Sequence, residues 1–353
     1  MNSLRRCMPA PAASSRKGLY VHVPFCDGKC AYCAFYSIVY TKAMADRFLA
    51  ALGRELALLR ARFPDFRPET VYIGGGTPTI LDPVQLTAVV SEVRRFCDGA
   101  RIVEWTIEAN PGSLTAGALR CLRAAGVTRI SLGIQACDDP TLAMLGRRHA
   151  WRDCHRAVAL IRRSGIPAWS ADLIACVPGV TPAAWEASVG KILRMRPNHM
   201  SVYALTVEEG SRLARARDFR PMSDTLQLRM LRIARRLLVR EGYYRYEVSN
   251  YALPGCESRH NAGYWRDMDF IGCGPSASAR MGYRRWTNRA DVAAYCRALE
   301  KGRAAPARRE TVSPLIAATE EVIFGLRTSQ GIDPAAIGKR HGLDATTAPG
   351  RWH

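Results

Sequence analysis

Cys26, Cys30 and Cys33 follow a CxxxCxxC spacing within the stretch PFCDGKCAYCAFYS. A loop of that length can turn three thiolates onto one small centre. Three thiolates on a cubane iron–sulfur cluster leave one iron without a protein ligand, and that open position suits an exogenous chelating molecule. A structural zinc ion wants four protein ligands, usually in CxxC-type pairs. The one nearby candidate for a fourth is His22, which reads as buried in the preceding strand. The remaining cysteines, Cys137 and Cys273 among them, are scattered singly and read as small buried apolar residues.

A second unusual run, GGGTPT at 74–79, follows an apolar stretch that ends at Ile73. Glycines there let a ligand approach the backbone closely, although a tight turn between strand and helix would use them equally well. A phosphate loop is disfavoured because no GK[ST] follows. Glu108, Gln135 and Asp172 lie at or just after the ends of later apolar runs.

These residues need a frame. Short β-rich runs at 19–23, 70–73, 104–108, 128–134, 170–174 and 200–205 alternate with amphipathic helical patterns at 44–61, 84–96, 116–125, 152–163 and 183–195. Strand, helix, strand, helix implies a parallel sheet with right-handed crossovers. The expected fold is α/β, a partial (β/α)6 barrel, with a doubly wound flat sheet as the alternative. The barrel is favoured because the chemistry-bearing residues fall at strand ends, where barrel enzymes place their sites. After about residue 215 the pattern changes to an Arg-rich helix over 224–241, an aromatic and glycine-rich segment over 243–286, then helices. That part reads as a C-terminal α/β cap. The organisation expected is a disordered extension over 1–18, a core over 19–215, a cap over 216–310 and a last helical stretch over 311–353.

The composition, 48% hydrophobic and 23% charged over 353 residues, is that of a globular protein with a large core. No apolar run is long enough to span a membrane and no secretory signal is evident, so the cytosol is expected. The net charge of +20 is spread along helices rather than gathered into one basic tract with aromatics, which favours compositional bias over nucleic-acid binding.

The cysteine motif after the first strand, with GGGTPT after the second, resembles the radical SAM superfamily. EANPGS at 108–113, RISLGIQ at 129–135, LGRRH at 145–149 and DLI followed by Pro178 and Gly179 narrow this to the oxygen-independent coproporphyrinogen III oxidase family. The resemblance spans 19 to about 340. It implies a [4Fe-4S] cluster on Cys26, Cys30 and Cys33, and S-adenosylmethionine (SAM) bound by Tyr20, Gly75, Gly76, Thr77, Glu108, Gln135, Arg147 and Asp172. An amino acid, a ribose and an adenine call for such carboxylate, amide, guanidinium and glycine partners. The oxidases of that family carry a further cysteine two residues after the third, where this chain has Phe35. SRHNAGYWRDMDFIGCGPSA at 258–277 contains HNxxYW, a signature of the haem-chaperone (HemW) branch. That branch implies haem contacts at His260, Tyr264 and Trp265, with Arg266 or nearby basic residues on the propionates, and transfer of haem to recipient haemoproteins, respiratory ones near the inner face of the membrane included. Radical decarboxylation of coproporphyrinogen III is the alternative activity. The segment 320–333 resembles the start of the family's last helical module, which this chain is expected to hold incomplete.

Overall fold

The computed structural model describes residues 16–216 and 219–343. Among these residues fourteen strands form in chain order: β1 Lys17–Val23, β2 Phe25–Cys26, β3 Ile38–Val39, β4 Thr70–Gly75, β5 Glu104–Ala109, β6 Arg129–Gln135, β7 Ala168–Ala175, β8 His199–Ala204, β9 Tyr244–Arg245, β10 Asn250–Ala252, β11 Asp269–Cys273, β12 Ser278–Met281, β13 Arg284–Asn288 and β14 Ala307–Thr311. Among them run helices α1 Lys42–Arg62, α2 Pro83–Phe96, α3 Ala116–Ala125, α4 Asp139–Met144, α5 Trp151–Ser164, α6 Pro182–Arg194, α7 Asp224–Arg240, α8 Arg259–Tyr264, α9 Val292–Glu300, α10 Pro314–Gly325 and α11 Pro334–Arg340. The expected extension over 1–18 lies outside the described residues up to residue 15, and Lys17 and Gly18 already belong to β1. Of the expected terminal stretch, residues 344–353 also lie outside.

The six expected strands are β1, β4, β5, β6, β7 and β8, all parallel and neighbours in that order. Their sequences alternate, apart from the apolar end of β7 at Leu173, Ile174 and Ala175. Leu19, Val21, Val71, Ile73, Ile107, Ile130, Leu132, Ala171, Leu173 and Met200 are fully buried in the main apolar cluster with the helices. Each of these Val, Leu, Ile and Met side chains contributes about 1.5–3 kcal/mol by leaving water. Successive strand residues point to opposite faces, so the other face carries Tyr20 and His22, Tyr72, Thr106 and Glu108, Arg129 and Ser131, Ser170 and Asp172, and His199 and Ser201. A closed eight-fold barrel fills its interior with branched aliphatics. Here the inner face is polar, the sheet stays open, and a cavity remains.

The region after 215 does not form a separate layer. β10 and β9 continue the sheet beyond β8, while β11 pairs in parallel with β1 and leads into the antiparallel β12, β13 and β14. A buried carboxylate fastens that second edge. Glu55 sits in the apolar stripe of α1 and accepts hydrogen bonds from Gly274 N, Asn288 Nδ2 and the Tyr295 hydroxyl, each at 2.7 Å. A buried polar group is tolerated when it is this fully partnered.

Candidate functional site

The cysteine loop leaves β1 at Pro24 and is fixed by backbone hydrogen bonds. Ile38 N donates to Pro24 O at 2.8 Å, Tyr40 N to Cys26 O at 2.9 Å, and Ala31 N to Leu145 O at 2.9 Å. Phe25, fully buried, packs edge-on against Phe48 with ring centroids 5.5 Å apart. Cys26, Cys30 and Cys33 are thereby held half-buried and unbridged at one wall of a cavity of about 700 Å³. Burial pushes the Cys26 and Cys33 thiols up from their ordinary range. The Arg147 guanidinium lies against Cys30, with Nη1 at 3.5 Å from Sγ.

These three thiols fit a three-cysteine cluster and not a four-ligand zinc site. His22, the nearby fourth candidate, has both ring nitrogens engaged: Nδ1 with the Tyr20 hydroxyl at 3.0 Å and Nε2 with Tyr36 O at 2.9 Å. Buried there, it titrates below the usual imidazole range and is neutral.

The glycine run holds up this loop. Gly76 N donates to Val23 O at 2.9 Å, Thr77 N to Phe25 O at 2.7 Å, and the Thr77 hydroxyl lies 3.6 Å from Cys26 Sγ. A Cβ on Gly76 would stand 2.5 Å from Phe25 O, and one on Gly75, whose φ is +107°, 2.6 Å from the His22 ring. Part of the need for glycine therefore comes from the cysteine loop itself, whose backbone passes where a side chain would be.

Across the cavity, Glu108 accepts from the Tyr72 hydroxyl at 2.8 Å and from Gly75 N at 3.0 Å. Burial pushes its carboxyl up to about 7, with the charge of Asp172 adding to the rise. Asp172 accepts from the Ser131 and Ser170 hydroxyls at 2.8 and 3.0 Å, and burial raises it as well. At the end of β6 the register shifts between Gly133 and Gln135, and Gln135 adopts a left-handed φ of +68°. Such a conformation costs a non-glycine residue roughly 1 kcal/mol or more and is found where a site demands it. The distortion turns out two carbonyls: Arg147 Nη2 donates to Gly133 O at 2.9 Å and His149 Nε2 meets Ile134 O at 3.2 Å. The motif LGRRH is thus a clamp on the bulged end of β6.

Gly75, Gly76, Thr77, Glu108, Gln135, Arg147 and Asp172 all line the same cavity as the cysteines. Tyr20 does not; its hydroxyl braces His22, and its ring lies 6.2 Å from that of Tyr72.

Comparisons with known proteins agree with this geometry. The family described as the radical SAM superfamily matches residues 20–192. Named relatives include "Heme chaperone HemW" of Mycobacterium tuberculosis (strain ATCC 25618 / H37Rv), 35% identical over 97% of this chain and 90% of its own length. The protein of that name from Lactococcus lactis subsp. lactis (strain IL1403) is 32% identical over 89% of this chain and 82% of its own. The chain belongs to the HemW family of radical SAM proteins. Its fold matches the Escherichia coli coproporphyrinogen III oxidase HemN, with a TM-score of 0.81 at 22% identity over 93% of this chain and 79% of that one.

The HemW signature at 258–265 falls at the opposite end of the cavity from the cysteines and closes its floor. Glu104 accepts from Ser258 Oγ at 3.3 Å, and from Arg259 N and His260 N at 2.9 Å each. His260 is 0% exposed, its Nδ1 on the Thr70 hydroxyl at 2.9 Å and its Nε2 on the Tyr264 hydroxyl at 2.8 Å, and its ring is stacked on Tyr72. Burial pulls it down to about 3, so it is neutral. In this arrangement the imidazole offers haem no free nitrogen; axial ligation would have to break the hydrogen bond at the ligating nitrogen and expose a fully buried ring. Trp265 turns away, its ring 5.9 Å from Phe324 of α10 and covered by the Arg327 guanidinium at 4.9 Å. The expected trio of His260, Tyr264 and Trp265 is therefore not gathered on the cavity wall. What it does supply is support, because His260 backs the Tyr72 that holds Glu108.

Sequence reasoning missed Tyr72, Thr106, Arg129, Ser170, His199, Ser201 and Tyr203, all of them lining residues. The signal was present in the alternation of the strands, whose apolar positions alternate with polar ones, Thr106, Arg129, Ser170, His199 and Ser201 among them, that are buried as well.

Proposed function

We propose that this chain binds a [4Fe-4S] cluster through Cys26, Cys30 and Cys33, SAM along the strand ends, and haem, and that it passes haem to haemoproteins. The observation that carries the reading is one cavity with three half-buried cysteines at one wall and Gln135, Arg147, Glu108 and Asp172 on the others. Membership of the HemW family supports the haem part. When bound, the cluster and SAM supply one-electron chemistry. The residues of this chain hold and shield them: Arg147 beside Cys30, Glu108 and Asp172 as acceptors for an amino group and for ribose hydroxyls, Thr77 and the glycine run at the rim. In this reading the core runs over 19–215, the segment 216–310 extends and seals it, and 311–353 forms a further helical stretch. Among the described residues no helix is long and apolar enough to cross a membrane. Contact with respiratory partners at a membrane would be peripheral, and the net charge of +20 suits an anionic surface.

The test is an anaerobic haem titration of cluster-reconstituted protein, followed by absorption, alongside the His260→Ala variant. Saturable binding by the unmodified chain supports the reading, and its absence overturns it. An unshifted haem spectrum in the variant would place the ligand elsewhere, as the hydrogen bonding of His260 leads us to expect.

A further inference from the structure

The polar face of the sheet continues below Glu108 and Asp172. Thr106 is two residues before Glu108 on β5 and pairs with Arg129 on β6, while Ser170 on β7 pairs with His199 on β8. This layer lies about 7 Å deeper, from the rise of a strand, and belongs to the same cavity wall. Its polar atoms are incompletely used. Arg129, 5% exposed, spends Nη2 on Cys256 O and Glu257 O at 2.6 and 3.0 Å, and its Nε stands 3.5 Å from Glu104 Oε2. Its Nη1 has no partner among the described residues; nor do Thr106 Oγ1 and His199 Nδ1. His199, 1% exposed, has its other nitrogen on the Tyr246 hydroxyl at 2.8 Å.

Buried donors without acceptors are rare in folded proteins and mark places that water or a ligand completes. This set is a guanidinium, a hydroxyl and an imidazole around one floor, which matches an anionic acceptor. Glu104 is the counter-charge beside Arg129 Nε, but its oxygens are shared with Ser258, Arg259 and His260 and leave Nη1 without an acceptor. Glu108 and Asp172 have donors of their own above. Glu108 and Asp172 stand one layer above this floor on the same strands, so a group arriving from the cysteine end meets them first, and a slender arm suits the floor better than a broad ring.

We propose that the cavity floor is a subsite for a carboxylate on a flexible arm, a propionate of a tetrapyrrole, held by Arg129 with Thr106 and His199. The tetrapyrrole identity rests on the function proposed above; the carboxylate specificity rests on the floor alone. Two arms separate them. In the first, cluster-reconstituted protein is titrated anaerobically with haem and with haem dimethyl ester. The free acid is expected to bind roughly tenfold to a hundredfold tighter, the range of a charge-assisted buried hydrogen bond, and Arg129→Gln is expected to remove that preference. Equal affinity in the unmodified protein, or a preference that survives the substitution, overturns the subsite. In the second arm, sodium propionate alone is added during thermal unfolding of the full chain. Stabilisation of the unmodified protein but not of Arg129→Gln supports the subsite even if haem fails to bind, which would sink only the tetrapyrrole identity. No difference between the two proteins overturns it. The ester comparison needs no variant, so it holds even if Arg129→Gln folds poorly.

Discussion

Glu108 is poised between two protonation states near neutrality, and its neighbours decide where. Burial lifts its carboxyl to about 7, Asp172 lifts it further, and the hydrogen bonds from Tyr72 and Gly75 oppose the rise. If its charged form receives the amino group of SAM, affinity should weaken as pH falls through about 7, measured by calorimetry on reconstituted protein. Tyr72→Phe deletes a bond that favours the carboxylate, so the midpoint should move up; a midpoint that stays or falls would contradict this assignment. Linkage adds a second signature. A carboxyl raised on folding binds its proton more tightly in the folded chain. That stabilisation is complete below the unfolded value and is lost as pH rises through the folded one. Between about pH 4.5 and 7 the ligand-free protein should therefore lose at most about 3 kcal/mol on this account. In Glu108→Gln that part of the slope should vanish from urea unfolding curves taken across the same window.

The elements around the site are locked together by backbone, which makes some substitutions unforgiving. Gly76 approaches Phe25 O so closely that a Cβ would stand 2.5 Å away, and a backbone atom cannot swing aside as a flexible side chain can. Gly76→Ala should displace the cysteine loop while leaving the sheet intact: cluster absorption after reconstitution falls severalfold, with the far-ultraviolet dichroism unchanged. Arg147→Ala should act differently. It strips the acceptor Gly133 O of its donor and Cys30 of its cation, costing about 1–3 kcal/mol in denaturant unfolding and weakening cluster retention. The six strands and the helices between them were legible because period 2 and period 3.6 are local patterns. The cysteine loop was legible for the same reason, since its three cysteines lie within one short stretch. The strain at Gln135 was not, because RISLGIQ reads as an unbroken strand until Arg147 and His149 draw out the carbonyls of Gly133 and Ile134.

At the scale of the whole molecule, the cavity exists because its floor is sealed by a segment distant in sequence. Arg129 and Glu104 reach Cys256, Ser258 and His260 across 127 to 156 residues of chain. No window of the sequence contains both sides of such a contact, which is why HNxxYW reads as a ligand site in isolation and as a plug in the fold. Glu55 was illegible in the same way, as a charge in an apolar helix stripe whose partners all lie beyond residue 270. Glu104 is the hub of the seal, and its removal provides a test. Glu104→Ala would leave the Ser258 hydroxyl and two backbone N–H groups without their acceptor and would strip buried Arg129 of its counter-charge. Breaking a buried ion pair from one side costs about 3–5 kcal/mol, so denaturant unfolding should register a loss of that size. The exposed pair between Glu186 and Arg236, with side chains 45% and 63% accessible, makes a fair control. Glu186→Ala there should cost under about 1 kcal/mol. Hydrogen exchange then locates the damage. If the plug is held chiefly through Glu104, amides over 253–264 should lose protection in Glu104→Ala while those of β4 to β7 keep theirs; uniform loss across the sheet would mean that the floor is held by packing and not by this carboxylate.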